Sequence, residues 1–175
     1  MKNLKIKPLY SEEMIQSGID KLSEKLNSAY GEQEVYMVCV LKGSVMFAVD
    51  LAKKLKMPLK MEFIRLSSYG SSTVSSGKVN AVDIKLPDLN GKNVLIVEDI
   101  IDTGHTAKFL IDFINQNFNV KTLKFCSLLD KKVKRVVDID ADYYCFEVDD
   151  KFLIGYGLDY DGYYRNYPYI GYVEV

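Results

Sequence analysis

Apolar and polar positions along the chain fall into two alternating patterns. Ile15, Ile19, Leu22 and Leu26 keep helical spacing behind Ser11-Glu12-Glu13, an N-cap followed by first-turn acids, and predict a helix to about Ala29. Val35–Leu41 is continuously apolar apart from the Tyr36 hydroxyl; it is too short for a buried helix and reads as a central strand. Lys42-Gly43-Ser44 breaks it, and Val45, Val49, Ala52 and Leu55 continue as a helix that Pro58 closes. Residues 61–66 and 79–86 alternate as strands. A strand over 93–97, an acidic loop, a helix to about Asn117 and strands over 122–129 and 142–148 follow. The alternation predicts an α/β fold, a mostly parallel twisted sheet flanked by helices on both faces. Ligands of such sheets sit beyond the C-terminal strand ends, so the loops at 41–44 and 98–106 meet at one site.

Composition changes the picture at one place. Residues 67–78, Ser-Ser-Tyr-Gly-Ser-Ser-Thr-Val-Ser-Ser-Gly-Lys, have almost no apolar content to offset the entropy of ordering. A segment of this length inside a compact unit reads as a flexible lid. The 175 residues, 48% of them hydrophobic, suit a single domain spanning the chain. A net charge of -1 gives no support to nucleic-acid binding. The start of the chain has no signal-peptide pattern, and no apolar run is long enough to span a membrane. Cys39, Cys126 and Cys145 lack metal or redox spacing and read as reduced packing residues, which points to the cytoplasm. The concentration of tyrosines near the C-terminus suggests a packed or interfacial tail.

The chemistry concentrates in Val97-Glu98-Asp99-Ile100-Ile101-Asp102-Thr103-Gly104-His105-Thr106. An apolar run ends in acids, and a turn with Gly104 leads into a helix start bearing hydroxyls. A helix N-terminus offers backbone N–H groups and partial positive charge to a phosphate. Acids leaving a central strand suit sugar hydroxyls, a divalent metal or a proton. Asp102 reads either as an N-cap or as a general base. His105, the only histidine, reads as a backbone contributor more than as a ligand or nucleophile. Taken alone, Lys42-Gly43 is a surface turn, Lys131 a solvated cation, Phe152 a core residue, and Asp159 with Arg165 a surface pair.

The acidic segment closely resembles the phosphoribosyl-diphosphate motif of type I phosphoribosyltransferases. Leu41-Lys42-Gly43-Ser44, Ser68-Tyr69, Leu128-Leu129-Asp130-Lys131, the stretch from Asp150 to Tyr160, Arg165 and Pro168-Tyr169-Ile170-Gly171 extend the similarity over nearly the whole chain. They narrow it to the bacterial hypoxanthine (hypoxanthine-guanine) branch. The resemblance implies that fold, with a small hood built from the chain ends. It implies purine salvage: hypoxanthine, and also guanine, combine with phosphoribosyl diphosphate to give IMP, or GMP, and diphosphate. Asp102 would be the catalytic base at purine N7. Glu98 and Asp99 would hold the ribose hydroxyls, directly or through Mg²⁺, and Thr103, Gly104, His105 and Thr106 the 5′-phosphate. Lys42 and Gly43 would bind diphosphate behind a cis Leu41–Lys42 peptide, with Ser68 and Tyr69 in the lid. Lys131 would donate to the purine O6, Phe152 would stack on the base, and the Leu153 backbone would meet its pyrimidine edge. Asp159 would bind Mg²⁺ carried by the diphosphate, and Arg165 that leaving group. Glu98, Asp99 and Asp159 are thus the metal candidates. His105 stands where many family members carry Lys or another polar residue. The resemblance also implies a homodimer or homotetramer, with no nucleic-acid or membrane partner. The alternatives are a xanthine-preferring phosphoribosyltransferase and a non-catalytic, nucleotide-sensing regulator on the same fold.

Overall fold

The apolar segment Val35–Leu41 forms β2, near the middle of a six-stranded sheet. The computed structural model describes residues 5–68 and 79–173, with the backbone alone at 67, 68 and 79–83. In chain order the elements are β1 (Ile6–Tyr10), α1 (Glu12–Tyr30), β2, α2 (Val45–Ala52), β3 (Leu59–Ser68) and β4 (Val79–Asp83). Then come β5 (Asn93–Ile101), α3 (His105–Asn117), β6 (Thr122–Asp130), a 3₁₀ turn at Lys132–Lys134, β7 (Tyr143–Glu147), β8 (Phe152–Ile154) and β9 (Ile170–Val173).

Five strands run parallel in the order β3-β2-β5-β6-β7, and β4 joins the β3 edge antiparallel. Side chains of β2 alternate between the two faces, as strand geometry requires. Val35, Met37 and Cys39 pack with Leu95 and Val97 of β5 under α1 and α2. Tyr36, Val38 and Val40 pack with Val94 and Ile96 under α3. The helices present matching apolar stripes: Ile15, Ile19, Leu22 and Leu26 on α1, and Ala107, Leu110 and Ile114 on α3. Covering both faces is what makes the central strands uniformly apolar. β1, β9 and β8 form a separate antiparallel sheet, so the chain ends do build a hood.

Several boundaries differ from the sequence expectation, each for a local reason. Ser11 does cap α1, accepting a bond from Met14 N at 3.3 Å. α2 stops at Ala52 rather than continuing to Leu55, because Lys54 N and Leu55 N bond back only three residues, to Leu51 O and Ala52 O. That tightened turn ends the helix before Pro58. β5 runs on to Ile101, so Glu98 and Asp99 belong to the strand and not to a loop. Neighbouring β6 keeps pace, with Glu98 opposite Ser127 and Ile101 opposite Asp130, and the ladder holds the acids extended. β4 ends at Asp83, earlier than residue 86. Residues 67 and 68 pair with β4 as the end of β3, so the expected lid is shorter at its start; the rest of it, 69–78, lies outside the described residues. β1, β8 and β9 were not expected as individual strands. All three cysteines are free, with Cys39 and Cys126 buried. Among the described residues no helix is long and apolar enough to cross a membrane.

The hood side is clamped to the helices through Asp50 of α2. Its Oδ2 accepts from Tyr156 Oη at 2.7 Å and from Gln16 Nε2 at 3.1 Å, and Lys53 lies 3.2 Å from Oδ1. Partial burial pushes this carboxyl up, but the bonds from Tyr156, Lys53 and Gln16 outweigh it and hold the group below its ordinary 3.8. A depressed carboxyl contributes stability above its unfolded value and loses it as pH falls through the folded value. Tyr156→Phe keeps the ring and removes one bond, so it should cost about 1 kcal/mol at neutral pH. Denaturant melts should show that difference at pH 7 and its shrinkage as pH falls below 3.8 and through the depressed folded value of Asp50.

Candidate functional site

The C-terminal ends of β2 and β5 open into a cleft in two adjoining parts. One, of about 230 Å³, is lined by Gly43, Glu98, Asp99, Thr106, Asp159 and Arg165, among others. The other, of about 220 Å³, is lined by Glu98, Asp99, Asp102, Thr103, Gly104 and Thr106, among others. The shared residues Glu98, Asp99 and Thr106 make them one functional space. Nine of the sequence candidates meet here, and Lys131, Phe152 and Leu153 line neither part. Lys42 is exposed and lines neither part, nor does His105. The Ser68 side chain and all of Tyr69 lie outside the description.

Gly43 explains how the cleft is assembled. It follows a cis Leu41–Lys42 peptide, and a Cβ at Gly43 would lie 1.6 Å from Asp99 Oδ2. On the other side, a Cβ at Gly157, with φ of +98°, would lie 2.0 Å from Gly43 O. Two main-chain segments therefore stack beside the Asp99 carboxylate, Gly43 directly against it and Gly157 against Gly43, and only glycine permits either approach. Arg165 completes the stack, donating to Gly157 O at 2.6 Å and pairing with Asp159 Oδ1 at 2.6 Å. Gly162 N donates to the other Asp159 oxygen at 2.8 Å.

Burial dominates the electrostatics of the acid pair. It pushes Glu98 well above the usual carboxylate range, and the neighbouring charge of Asp99 adds to the effect. Burial also raises Asp99, to about 6, against the lowering pull of the Ile100 N–H and Arg165. Two carboxyls destabilised in this way welcome a cation or hydroxyl donors.

At the start of α3 the N-cap is Gly104, with φ of +89°, and no side chain caps the helix. Asp102 is thus not the cap. Instead its Oδ1 is buried with no hydrogen-bond partner, an orphan acceptor beside an uncapped helix start. Lys131, which alone reads as a solvated cation, is only 7% exposed; its ammonium donates to Lys151 O at 2.9 Å. Its main-chain N donates to Ile101 O at 2.9 Å, which ties it to the end of β5. Phe152, which alone reads as core, is 42% exposed and packs edge-on against Tyr160 at 5.5 Å. Leu153 is buried in β8. The tyrosine-rich tail is packed, with Tyr164 against Tyr167 and Tyr167 against Tyr169.

The model of the phosphoribosyl transferase domain matches residues 7–161. The chain belongs to the phosphoribosyltransferase family. It is 44% identical to the hypoxanthine-guanine phosphoribosyltransferase of Bacillus subtilis over 165 residues, 94% of this chain and 91% of the relative. The corresponding enzyme of Streptococcus thermophilus is 42% identical over the same shares of each chain. The fold superposes on a hypoxanthine-guanine phosphoribosyltransferase of Bacillus anthracis crystallised with a HEPES molecule in its active site. There the TM-score is 0.91 and the identity 41%, covering 98% of this chain and 100% of that one.

Sequence reasoning missed two contributors to this phosphoribosyltransferase cleft. Gly157 was one glycine among several until its positive φ and its contact with Gly43 set it apart. Arg135 carried no motif signal, yet its Nε donates to Asp102 O at 3.0 Å. The geometry at Gly43 is directly testable. Gly43→Ala should displace the Asp99 carboxylate, the movable partner, and lower kcat/KM by about 10²-fold with little change in melting temperature. Steady-state kinetics beside a thermal melt checks this; wild-type kcat/KM would show that the close approach is not needed.

Proposed function

We propose that the protein is a purine-salvage transferase that moves the phosphoribosyl group of phosphoribosyl diphosphate to hypoxanthine or guanine. The products are IMP or GMP and diphosphate. The observation that carries the reading is the orphan Asp102 Oδ1, buried in a cleft that also holds an uncapped helix start and two adjacent acids, Glu98 and Asp99. The identity to hypoxanthine-guanine phosphoribosyltransferases supports the choice of base.

In this reading Thr103, Gly104, His105 and Thr106 receive the 5′-phosphate on main-chain N–H groups and hydroxyls. Glu98 and Asp99 hold the ribose hydroxyls. Lys42, the Gly43 main chain and Arg165 hold the diphosphate. Lys131 donates to O6, exposed Phe152 stacks on the ring, and Leu153 offers its main chain to the pyrimidine edge. N9 of the purine forms its bond to C1′ as the C1′–O bond breaks, and the bonding pair leaves with the diphosphate. Positive charge develops on the sugar, as in glycoside hydrolysis. Asp102 accepts the N7 proton, so the base stays neutral as N9 is alkylated. Arg165 offsets the charge growing on the leaving group. A reacting centre of this kind must be kept from water, the role expected of the lid that includes Ser68 and Tyr69.

Mg²⁺ belongs to the same proposal. Carboxylates are the hard oxygen donors it prefers, and Glu98, Asp99 and Asp159 line one cleft. Among the described residues no three metal-ligating side chains converge to hold an ion by themselves, so Glu98, Asp99 and Asp159 would hold Mg²⁺ together with the diphosphate. When bound, Mg²⁺ neutralises the diphosphate and makes it a better leaving group. Assembly as a homodimer or homotetramer also belongs to this proposal.

Asp102→Asn and Asp102→Ala should lower kcat by at least about 10²-fold, the low end for acid–base catalysis. Initial-rate assays with hypoxanthine check this, and turnover at the wild-type rate would remove Asp102 from the mechanism.

A further inference from the structure

The segment between β6 and β7 has a place in the site that no motif assigns to it. Arg135 lies just after the 3₁₀ turn, its side chain 12% exposed, and its guanidinium serves three directions at once. Nε donates to the main-chain O of Asp102 at 3.0 Å. Nη2 pairs with Asp130, whose side chain is 1% exposed, and Nη1 donates to Ile139 O. Around it the same segment forms the floor of the 102–104 bend. Val136 N and Val137 N donate to Thr103 O at 3.0 and 3.1 Å. A Cβ at Gly104 would meet Ile139 Cγ2 at 2.8 Å and Arg135 Cδ at 3.0 Å.

We propose that Arg135 is a positioning residue for proton transfer, fixing the main chain of Asp102 against the end of β6 so that its carboxylate faces the base held by Lys131. The inference rests on Asp102 being the proton acceptor. Its physical core is that Asp102 Oδ1 has no hydrogen bond of its own. An acceptor must keep that oxygen free for the substrate, so no side-chain contact at Oδ1 can aim it. Its aim then depends on the main chain, and Arg135 grips that main chain at the carbonyl. The same guanidinium holds Asp130, the residue before Lys131, while Lys131 N bonds to Ile101 O, the residue before Asp102. Proton acceptor and O6 donor are thereby braced as one unit. A planar fork with five donors can satisfy these acceptors together, whereas a lysine ammonium is a compact point charge that cannot span them.

A merely structural Arg135 would only neutralise buried Asp130, and kinetics separates the two roles. In Arg135→Gln with Asp130→Asn, the buried carboxylate and its partner are both removed, so the melting temperature should return close to wild type. If Arg135 positions Asp102, kcat with hypoxanthine stays at least ~10-fold low while KM for phosphoribosyl diphosphate moves by less than about three-fold. Arg135→Lys keeps a positive charge for Asp130 and should show the same kcat loss, which covers the case in which the double variant does not fold. Wild-type kcat in either folded variant overturns the proposal. Asp102→Asn, assayed alongside, separates the two ideas. If it loses turnover while the Arg135 variants keep it, only the positioning role fails; if it keeps turnover, the acceptor assignment itself fails.

Discussion

The site depends on two adjacent carboxylates at the end of a central strand, Glu98 buried and Asp99 partly buried. Water ordinarily stabilises such charges, and burial raises both carboxyls above their usual range. The fold holds them there because β5 pairs with β2 as far as Val97 and with β6 as far as Ile101, which keeps the strand extended past the acids. Their surroundings follow from that placement. Gly43 has no Cβ because Asp99 occupies the space, Gly157 has none because Gly43 does, and Arg165 reaches the same stack from the tail. In the proposed function, a hydroxyl-rich sugar with a cation-bearing diphosphate is the ligand that would turn this unfavourable arrangement into a favourable one.

The central sheet was legible because its strands are buried on both faces. Val35–Leu41 could only be a central strand, and the helical stripes of α1 and α3 announced their partners. The hood was not legible element by element. β8 has three residues and β9 four, and β1 contains Pro8, so none carries enough periodicity to stand out. Resemblance supplied what pattern could not. The end of β5 was misplaced because a run of acids looks like a loop, although the β6 ladder continues beside it.

Within the site, residues whose chemistry depends on a local sequence were visible and those that depend on tertiary contact were not. The start of α3 and the acids before it could be read directly. Lys131 and Phe152 each carried a bland reading when taken alone, and the fold inverts both: the lysine is buried and the phenylalanine exposed. Arg135 is the clearest case. Its partners lie at Asp102, Asp130 and Ile139, and the contact with Asp102 crosses 33 positions of sequence. No local pattern announces such a contact.

The central claim is that this cleft transfers a phosphoribosyl group to a 6-oxopurine. Steady-state rates with hypoxanthine, guanine, xanthine and adenine, each with phosphoribosyl diphosphate and Mg²⁺, test it most directly. A donor ammonium at position 131 suits a 6-oxo group and would face the amino group of adenine, a mismatch worth a few kcal/mol, or roughly 10²-fold or more in kcat/KM. Turnover of hypoxanthine and guanine with adenine rejected by that margin is the predicted result. Preference for adenine, or no turnover of any of the four bases, contradicts the account.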